Sequence, residues 1–379
     1  MSNPKQPTAL LFANTDWYLY NFRKSLAHKM RARGYRVHLV SPPGKYAASF
    51  AADGFEWHSF DFARRGINPF AEVFTLARLI GLYRRIRPTH CHHFTIKCVL
   101  YGSVAARLAG VTKIINAITG LGHVFVSKSF RIEIVRKSVV HLYRICLRGT
   151  DVVFQNNDDR DMFAAAGLLD GSRVHLIRGS GVDINRFRMD PRRRFDRTPV
   201  SILFASRLLW EKGLAELIEA ARILRDRNVA VVVRIAGDRD PGNPSAVPAS
   251  MLAAWSQLPN VQMLGHRDDI ASLLAESDIV VLPSYREGTS RILLEAAAAG
   301  LPLVATDVPG CREIVRAHEN GILVPAHDAK ALAAALERLA ADPSMRARMA
   351  SRSRDIACEE FAEENVLAAT LAIYESTAS

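Results

Sequence analysis

Short apolar runs alternate with longer stretches whose apolar positions recur every three or four residues, and the pattern is gone through twice along the chain. In the first half it predicts strands at 9–13, 37–41, 113–118, 151–155 and 173–177, with helices at 21–33 and 70–85. The run around residues 90–93 reads as a strand end entering a cleft. Beyond Phe187, the segment 188–199 carries Asp190-Pro191, three consecutive arginines and Pro199 with hardly an apolar residue, so it reads as a linker. The alternation then restarts, with strands at 200–206, 231–237, 261–264, 279–283 and 303–306 and helices at 213–226, 270–275, 290–299 and 330–341. Such alternation implies α/β architecture: two Rossmann-like doubly wound domains, at 1–188 and 199–355. The last stretch, 344–374, looks helical with no strand to pair with, and residues 356–379 are expected to cross back to the first domain. Ligands of doubly wound sheets collect beyond the carboxyl ends of the strands, which places the expected site in a cleft between two facing domains.

Composition narrows the compartment. Within the 379 residues no apolar run approaches the roughly 18 to 20 residues of a membrane span, and residues 8–13 lack the features of a secretory signal, so a cytoplasmic protein is expected. Five cysteines without a CxxC pair argue against a disulfide framework or a zinc site, and they read as small buried residues. His90, His92 and His93 flank Cys91, but neighbours on a strand face opposite ways and cannot converge on one metal.

The net charge of +12 is unevenly placed: residues 1–190 hold 28 Lys and Arg against 13 Asp and Glu, leaving 22 against 25 for the remainder. Arg131, Lys137, Arg144 and Arg148 are interleaved with Ile132, Ile134, Val135, Val139, Val140, Leu142 and Ile145. A basic amphipathic helix of this kind lies on an anionic membrane surface, or else is a solvated face. Nucleic acid is not an expected partner, because the aromatic residues are not interleaved with the basic clusters.

The chemistry concentrates between Ser284 and Pro302. A strand ends at Pro283, Glu287-Gly288 form a turn, and Thr289 or Ser290 can cap a helix closed by Gly300 and Pro302. Amides around Ser290, Arg291 and Ile292 at that helix start would meet a phosphate. Glu295 lies two turns into an otherwise apolar helix and needs hydroxyl donors, which a ribose supplies. Upstream, Arg207 and Lys212 follow the strand ending at Ser206, and together they can neutralise a diphosphate.

At this point the chain resembles the retaining glycosyltransferases of family 4, which have the GT-B fold. The likeness rests on Glu287 and Glu295 in an E-x7-E motif, Arg207 and Lys212 in R-x4-K-G, and Gly181-Val182-Asp183 with Phe187 in G-V-D-x3-F. A closer likeness is to bacterial N-acetylgalactosaminyltransferases acting on undecaprenyl diphosphate-linked sugars, and to O-antigen and capsule enzymes. It rests on 14–23 (NTDWYLYNFR), 65–70 (RGINPF), 119–125 (TGLGHVF), 239–244 and 283–288 (PSYREG).

The resemblance implies that Arg207 and Lys212 hold a donor diphosphate and Glu295 takes ribose hydroxyls, while Glu287 contacts the donor sugar. Gly288, Thr289, Ser290, Arg291 and Ile292 would line the phosphate. Asn14, Asp16, Trp17, Lys97, Thr119, Gly120, His123 and Gly181 would lie near the sugar or acceptor. It further implies a nucleotide-sugar donor such as a UDP-linked N-acetylhexosamine, a lipid-linked sugar acceptor, peripheral attachment to the inner face of the cytoplasmic membrane, and no cofactor or metal. The only near match to a metal-binding D-x-D is Asp238-Arg239-Asp240.

Two positions depart from the family pattern. Thr119 stands where many relatives carry a histidine, with His123 four residues on, and Asn14 to Trp17 replace a glycine-rich loop. A sugar-nucleotide epimerase on the same two-domain plan is the alternative reading, although R-x4-K-G with E-x7-E fits transfer better. A dinucleotide oxidoreductase lacks its G-x-G-x-x-G after the first strand.

Overall fold

The computed structural model describes residues 6–62, 69–119, 130–190, 192–240 and 242–376. The chain divides into two compact units, one of residues 1–180 with 366–379 and the other of residues 181–365.

In the first unit seven strands, β1 (Thr8–Phe12), β2 (Arg36–Ser41), β3 (Glu56–Ser59), β4 (His90–Phe94), β5 (Lys113–Ile118), β6 (Asp151–Phe154) and β7 (Arg173–Leu176), form one sheet ordered β3-β2-β1-β4-β5-β6-β7. Every pairing is parallel. Side chains alternate between two cores. Ala9, Leu11, Leu39 and Ile115 meet Leu26, Met30 and Leu371 on one face, and Leu10, Phe12, Val40 and Ile114 meet Leu79, Tyr83 and Ala105 on the other. β5 and β6 are buried at every position, so they read as unbroken apolar runs.

The second unit has six parallel strands: β8 (Val200–Ala205), β9 (Val231–Ala236), β10 (Val261–Gly265), β11 (Ile279–Leu282), β12 (Leu303–Thr306) and β13 (Gly321–Val324), ordered β10-β9-β8-β11-β12-β13. The strand order reverses between β1 and β4 in one sheet and between β8 and β11 in the other. These are the positions where loops diverge and leave a crevice.

The expected helix 21–33 is two helices, Asp16–Phe22 and Lys24–Ala32, joined at Arg23. The tail is also two helices, Pro343–Glu360 and Glu363–Glu375, and the second buries Val366, Leu367, Leu371 and Tyr374 in the first unit's core. The stretch 188–199 is not a bare linker, because its described residues pack on the second unit. Arg193 donates to the carbonyls of Leu274 (2.7 Å), Ala275 (2.8 Å), Ser277 (2.8 Å) and Ala299 (3.3 Å). Those carbonyls lie at or just past the ends of the helices Ile270–Ala275 and Arg291–Ala298, so one guanidinium gathers helix-end acceptors.

All five cysteines are unbridged, four of them buried and Cys358 half-buried. His92 and His93 do face opposite ways. His92 Nδ1 lies 2.9 Å from the Tyr374 hydroxyl, and His93 bonds Asn116 (2.9 Å) and Tyr83 (3.2 Å).

Candidate active site

At the reversal point of the second sheet, the loops after β8 and β11 lie side by side. After β8 the chain turns through Arg207 and a single 3-10 turn, Trp210–Lys212, into the helix Leu214–Asp226. Gly213, at φ +72°, makes the join. A Cβ there would sit 2.0 Å from the carbonyl oxygen of Pro283, at the end of β11, so only glycine lets the loops approach this closely. The Tyr285 amide donates to the Glu211 carbonyl at 2.9 Å and ties the loops together. Gly310 makes a second close approach, its absent Cβ lying 2.0 Å from the Gly288 carbonyl oxygen.

This scaffold brings Lys212 and Glu287 into contact. Lys212 Nζ donates to Glu287 Oε1 at 2.5 Å and Ser284 Oγ donates to the same oxygen at 2.6 Å, with both charged side chains largely buried. Buried polar groups of this kind are costly unless paired, and the lysine and glutamate satisfy each other here. Arg207 is different: its side chain is 62% exposed and its Nη1 lies 3.3 Å from Asp240 Oδ2. Such a surface pair contributes little and leaves the arginine able to swing toward an anion. Asp240, one half of the D-R-D triplet, is therefore the arginine's partner in this state.

Ser290 is the N-cap residue of the helix Arg291–Ala298, although its side chain makes no capping bond. Ile292 is buried and packs with the second unit's core. Glu295 is also buried, and its Oε1 accepts from Arg291 Nε at 2.6 Å, one helical turn away. The carboxylate therefore has a protein donor as well as any ribose hydroxyl. Burial pushes its carboxyl above the usual carboxylate range, against the pull of the Arg291 guanidinium. Two buried oxygens in this neighbourhood, Thr289 Oγ1 and Glu211 Oε2, make no hydrogen bond. A buried oxygen left unpaired costs about 1 to 3 kcal/mol.

One cluster escaped the sequence reading. The Tyr285 hydroxyl donates to the Glu216 carboxylate (2.9 Å to either oxygen), and the His327 ring packs on Tyr285 with centroids 3.8 Å apart. Glu216 lies four residues past Lys212, in the helix that follows its 3-10 turn, which is the signal that could have found it; His327 belongs to no motif.

In the first unit the residues expected near the acceptor occupy the corresponding reversal point, with different behaviour. Asp16 is buried, and its carboxylate accepts from the Trp17 and Tyr46 amides at 2.7 Å each, so it holds the loop. Asn14 is half-buried and Trp17 47% exposed. Lys97 pairs with Glu72 at 2.7 Å, and Thr119 is half-buried just past β5. Thr95, just past β4, is held at φ +74°, a strained position that no motif announced. Gly181 lies in the second unit. A Cβ on it would meet Glu363 Cα at 2.6 Å, so its role is to let the tail cross. Gly120 and His123 lie outside the described residues.

Residues 185–356 match the family of group 1 glycosyl transferases, and residues 9–157 match the glycosyl transferase 4-like family. The chain is 26% identical over 362 residues, covering 92% of this chain and 93% of the relative, to the N,N'-diacetylbacillosaminyl-diphospho-undecaprenol α-1,3-N-acetylgalactosaminyltransferase of Campylobacter jejuni. It is 26% identical to the UDP-Gal:α-D-GlcNAc-diphosphoundecaprenol α-1,3-galactosyltransferase of Escherichia coli, over 73% of each chain. Among solved structures, Anabaena HepE in complex with UDP superposes with a TM-score of 0.77 at 18% identity, over 98% of this chain and 100% of that one.

Proposed function

Because this chain belongs to the glycosyltransferases, with the GT-B fold of two Rossmann-like domains, we propose that it transfers a sugar from a nucleoside diphosphate donor to a lipid diphosphate-linked sugar with retention of configuration. The observation that carries the reading is the buried Lys212–Glu287 contact at the β8/β11 reversal point, flanked by the helix start at Ser290. A diphosphate placed there meets Lys212, the exposed Arg207 and the amides of residues 289–292, which stabilise the leaving charge without a metal ion. Glu287 is held by Lys212 and Ser284, an orientation suited to a sugar hydroxyl. The donor is read as an N-acetylhexosamine and the acceptor as an undecaprenyl diphosphate-linked sugar on the strength of the Campylobacter relative, and the carrier as UDP on that of the Escherichia coli relative.

An acceptor with a lipid chain calls for a membrane surface. Among the described residues no helix is long and apolar enough to cross a membrane. The helix Pro69–Ile86 instead exposes Phe70 (88%), Val73 (68%) and Phe74 (65%) beside Arg78, an arrangement that supports peripheral attachment of the basic first unit. The segment 128–148 supports it less. Arg144 donates to the carbonyls of Ala166 and Gly167 and so caps a helix, while the side chains of 130–138 lie outside the described residues.

The test is release of nucleoside diphosphate from a panel of UDP-, GDP- and ADP-sugars, with and without a lipid diphosphate-linked acceptor, in EDTA. Acceptor-dependent release with a retained product linkage supports the reading. Release restored only by Mg²⁺ or Mn²⁺ contradicts the metal-free mechanism, and an altered sugar without transfer returns the epimerase.

A further inference from the structure

Away from the β1/β4 reversal point, at the open edge of the first sheet, three side chains converge. β2 and β3 pair in parallel with His38 opposite Glu56 and Val40 opposite His58, so His38, Glu56 and His58 share one face of the edge. His38 Nδ1 lies 2.9 Å from His58 Nε2 and 3.6 Å from Glu56 Oε2, and one ligand atom from each residue falls within 4.8 Å of the others. We propose that these three residues form a zinc site, independent of sugar transfer, that clips the edge strand β3 onto the sheet.

The distances carry the proposal. Zinc holds nitrogen and oxygen ligands at about 2.0 to 2.2 Å, which puts tetrahedral neighbours about 3.3 Å apart, between the two separations found here. Nitrogen with carboxylate oxygen is a donor set suited to zinc rather than to calcium or magnesium, which prefer oxygen alone. The second carboxylate oxygen is already engaged, since Arg36 Nε donates to Glu56 Oε1 at 2.5 Å and turns Oε2 toward the imidazoles. Partners of this kind orient ligands in known zinc sites. His38 is buried, and its Nε2 makes no hydrogen bond, so the ring is fixed by packing and by what its Nδ1 meets. The fourth position is left to water.

β3 is only four residues long and lies at the sheet margin, where an unpaired edge is otherwise held by one ladder of backbone bonds. A metal joining β2 to β3 would tie that edge down.

The experiment uses the full-length protein stripped with chelator and titrated with Zn²⁺ by calorimetry, alongside Glu56→Gln and His58→Ala. Both variants alter side chains that are at least partly exposed, so folding is retained and can be verified by circular dichroism. The expected result is one Zn²⁺ per chain, a rise in thermal midpoint on loading, and affinity at least ten-fold weaker in each variant. Failure of the wild type to take up one zinc per chain, or unchanged uptake in either variant, overturns the site. Nucleotide release by the stripped protein is expected to be unchanged, and loss of release that zinc alone restores would overturn the separation from catalysis.

Discussion

The two sheets reverse strand order in the same way, yet their reversal points are furnished differently. In the second unit the loops after β8 and β11 carry a charged pair, an exposed arginine, two unpaired buried oxygens and glycines that admit no Cβ. In the first unit the loop after β1 spends its carboxylate on its own backbone amides, Lys97 is paired with Glu72, and aromatic residues fill the neighbourhood. The topology offers a crevice in both, and we read the second, with Lys212 and the exposed Arg207, as the one that meets a polyanion. On that reading the same fold serves as a donor site where an arginine is held only by a surface pair, and as a shaped surface where polar groups are consumed locally.

The largest effect that could break this contrast is on turnover. Lys212→Ala removes the cation over a developing charge and leaves Glu287 without its buried partner, so turnover at saturating donor is expected to fall about 10² to 10³-fold. Substituting Trp17 by Ala is expected to alter acceptor use while leaving donor binding intact. Near-normal turnover by the lysine variant would refute the donor-site assignment.

Backbone sterics come next. Gly213→Ala is expected to lower stability by roughly 3 kcal/mol, because left-handed strain adds to the clash with Pro283. Gly34→Ala, equally left-handed at φ +85° but with nothing within 4 Å, should cost about 1 to 2 kcal/mol. Equal losses in chemical denaturation would show that the close approach is not tight.

On the first unit's side, Asp16→Ala removes the acceptor of two amides and should destabilise by about 1 to 3 kcal/mol with nucleotide affinity unchanged. A drop in nucleotide affinity without loss of stability would return Asp16 to the list of ligand-binding groups.

The smallest contrast is in acid. Burial holds His92 well below the usual imidazole range and His93 down at about 4, whereas none of the second unit's three histidines is buried. A histidine with a depressed folded pKa binds its proton more readily when unfolded. Stability is therefore full above about pH 6.5 and declines as pH falls toward 4. Hydrogen exchange across that range should open the first unit's sheet before the second's, and simultaneous opening would contradict the assignment.

The strongly apolar strands and the R-x4-K-G and E-x7-E motifs were legible in the sequence, because buried parallel strands leave unbroken apolar runs and both motifs are local. β3 and β13 were not. Glu56–Ser59 is a half-exposed edge with a single aromatic, and Gly321–Val324 opens on a glycine that a strand pattern discounts. The contact between Lys212 and Glu287 spans 75 residues and follows from strand order, which no local pattern encodes. Arg291 as the donor to Glu295 was within reach, since i and i+4 share a helix face. The docking of residues 188–199 was hidden, because arginine-rich segments look solvated until their guanidiniums find helix ends.

The central claim is that Lys212 and its neighbours hold a diphosphate at the β8/β11 reversal point. Calorimetric titration of wild type and Lys212→Ala with UDP and with uridine tests it directly. A charge-assisted contact to phosphate is worth about 1.5 to 3 kcal/mol, so UDP affinity should fall roughly ten- to a hundred-fold in the variant while uridine affinity stays the same. Equal losses for both ligands, or none for UDP, would contradict the account.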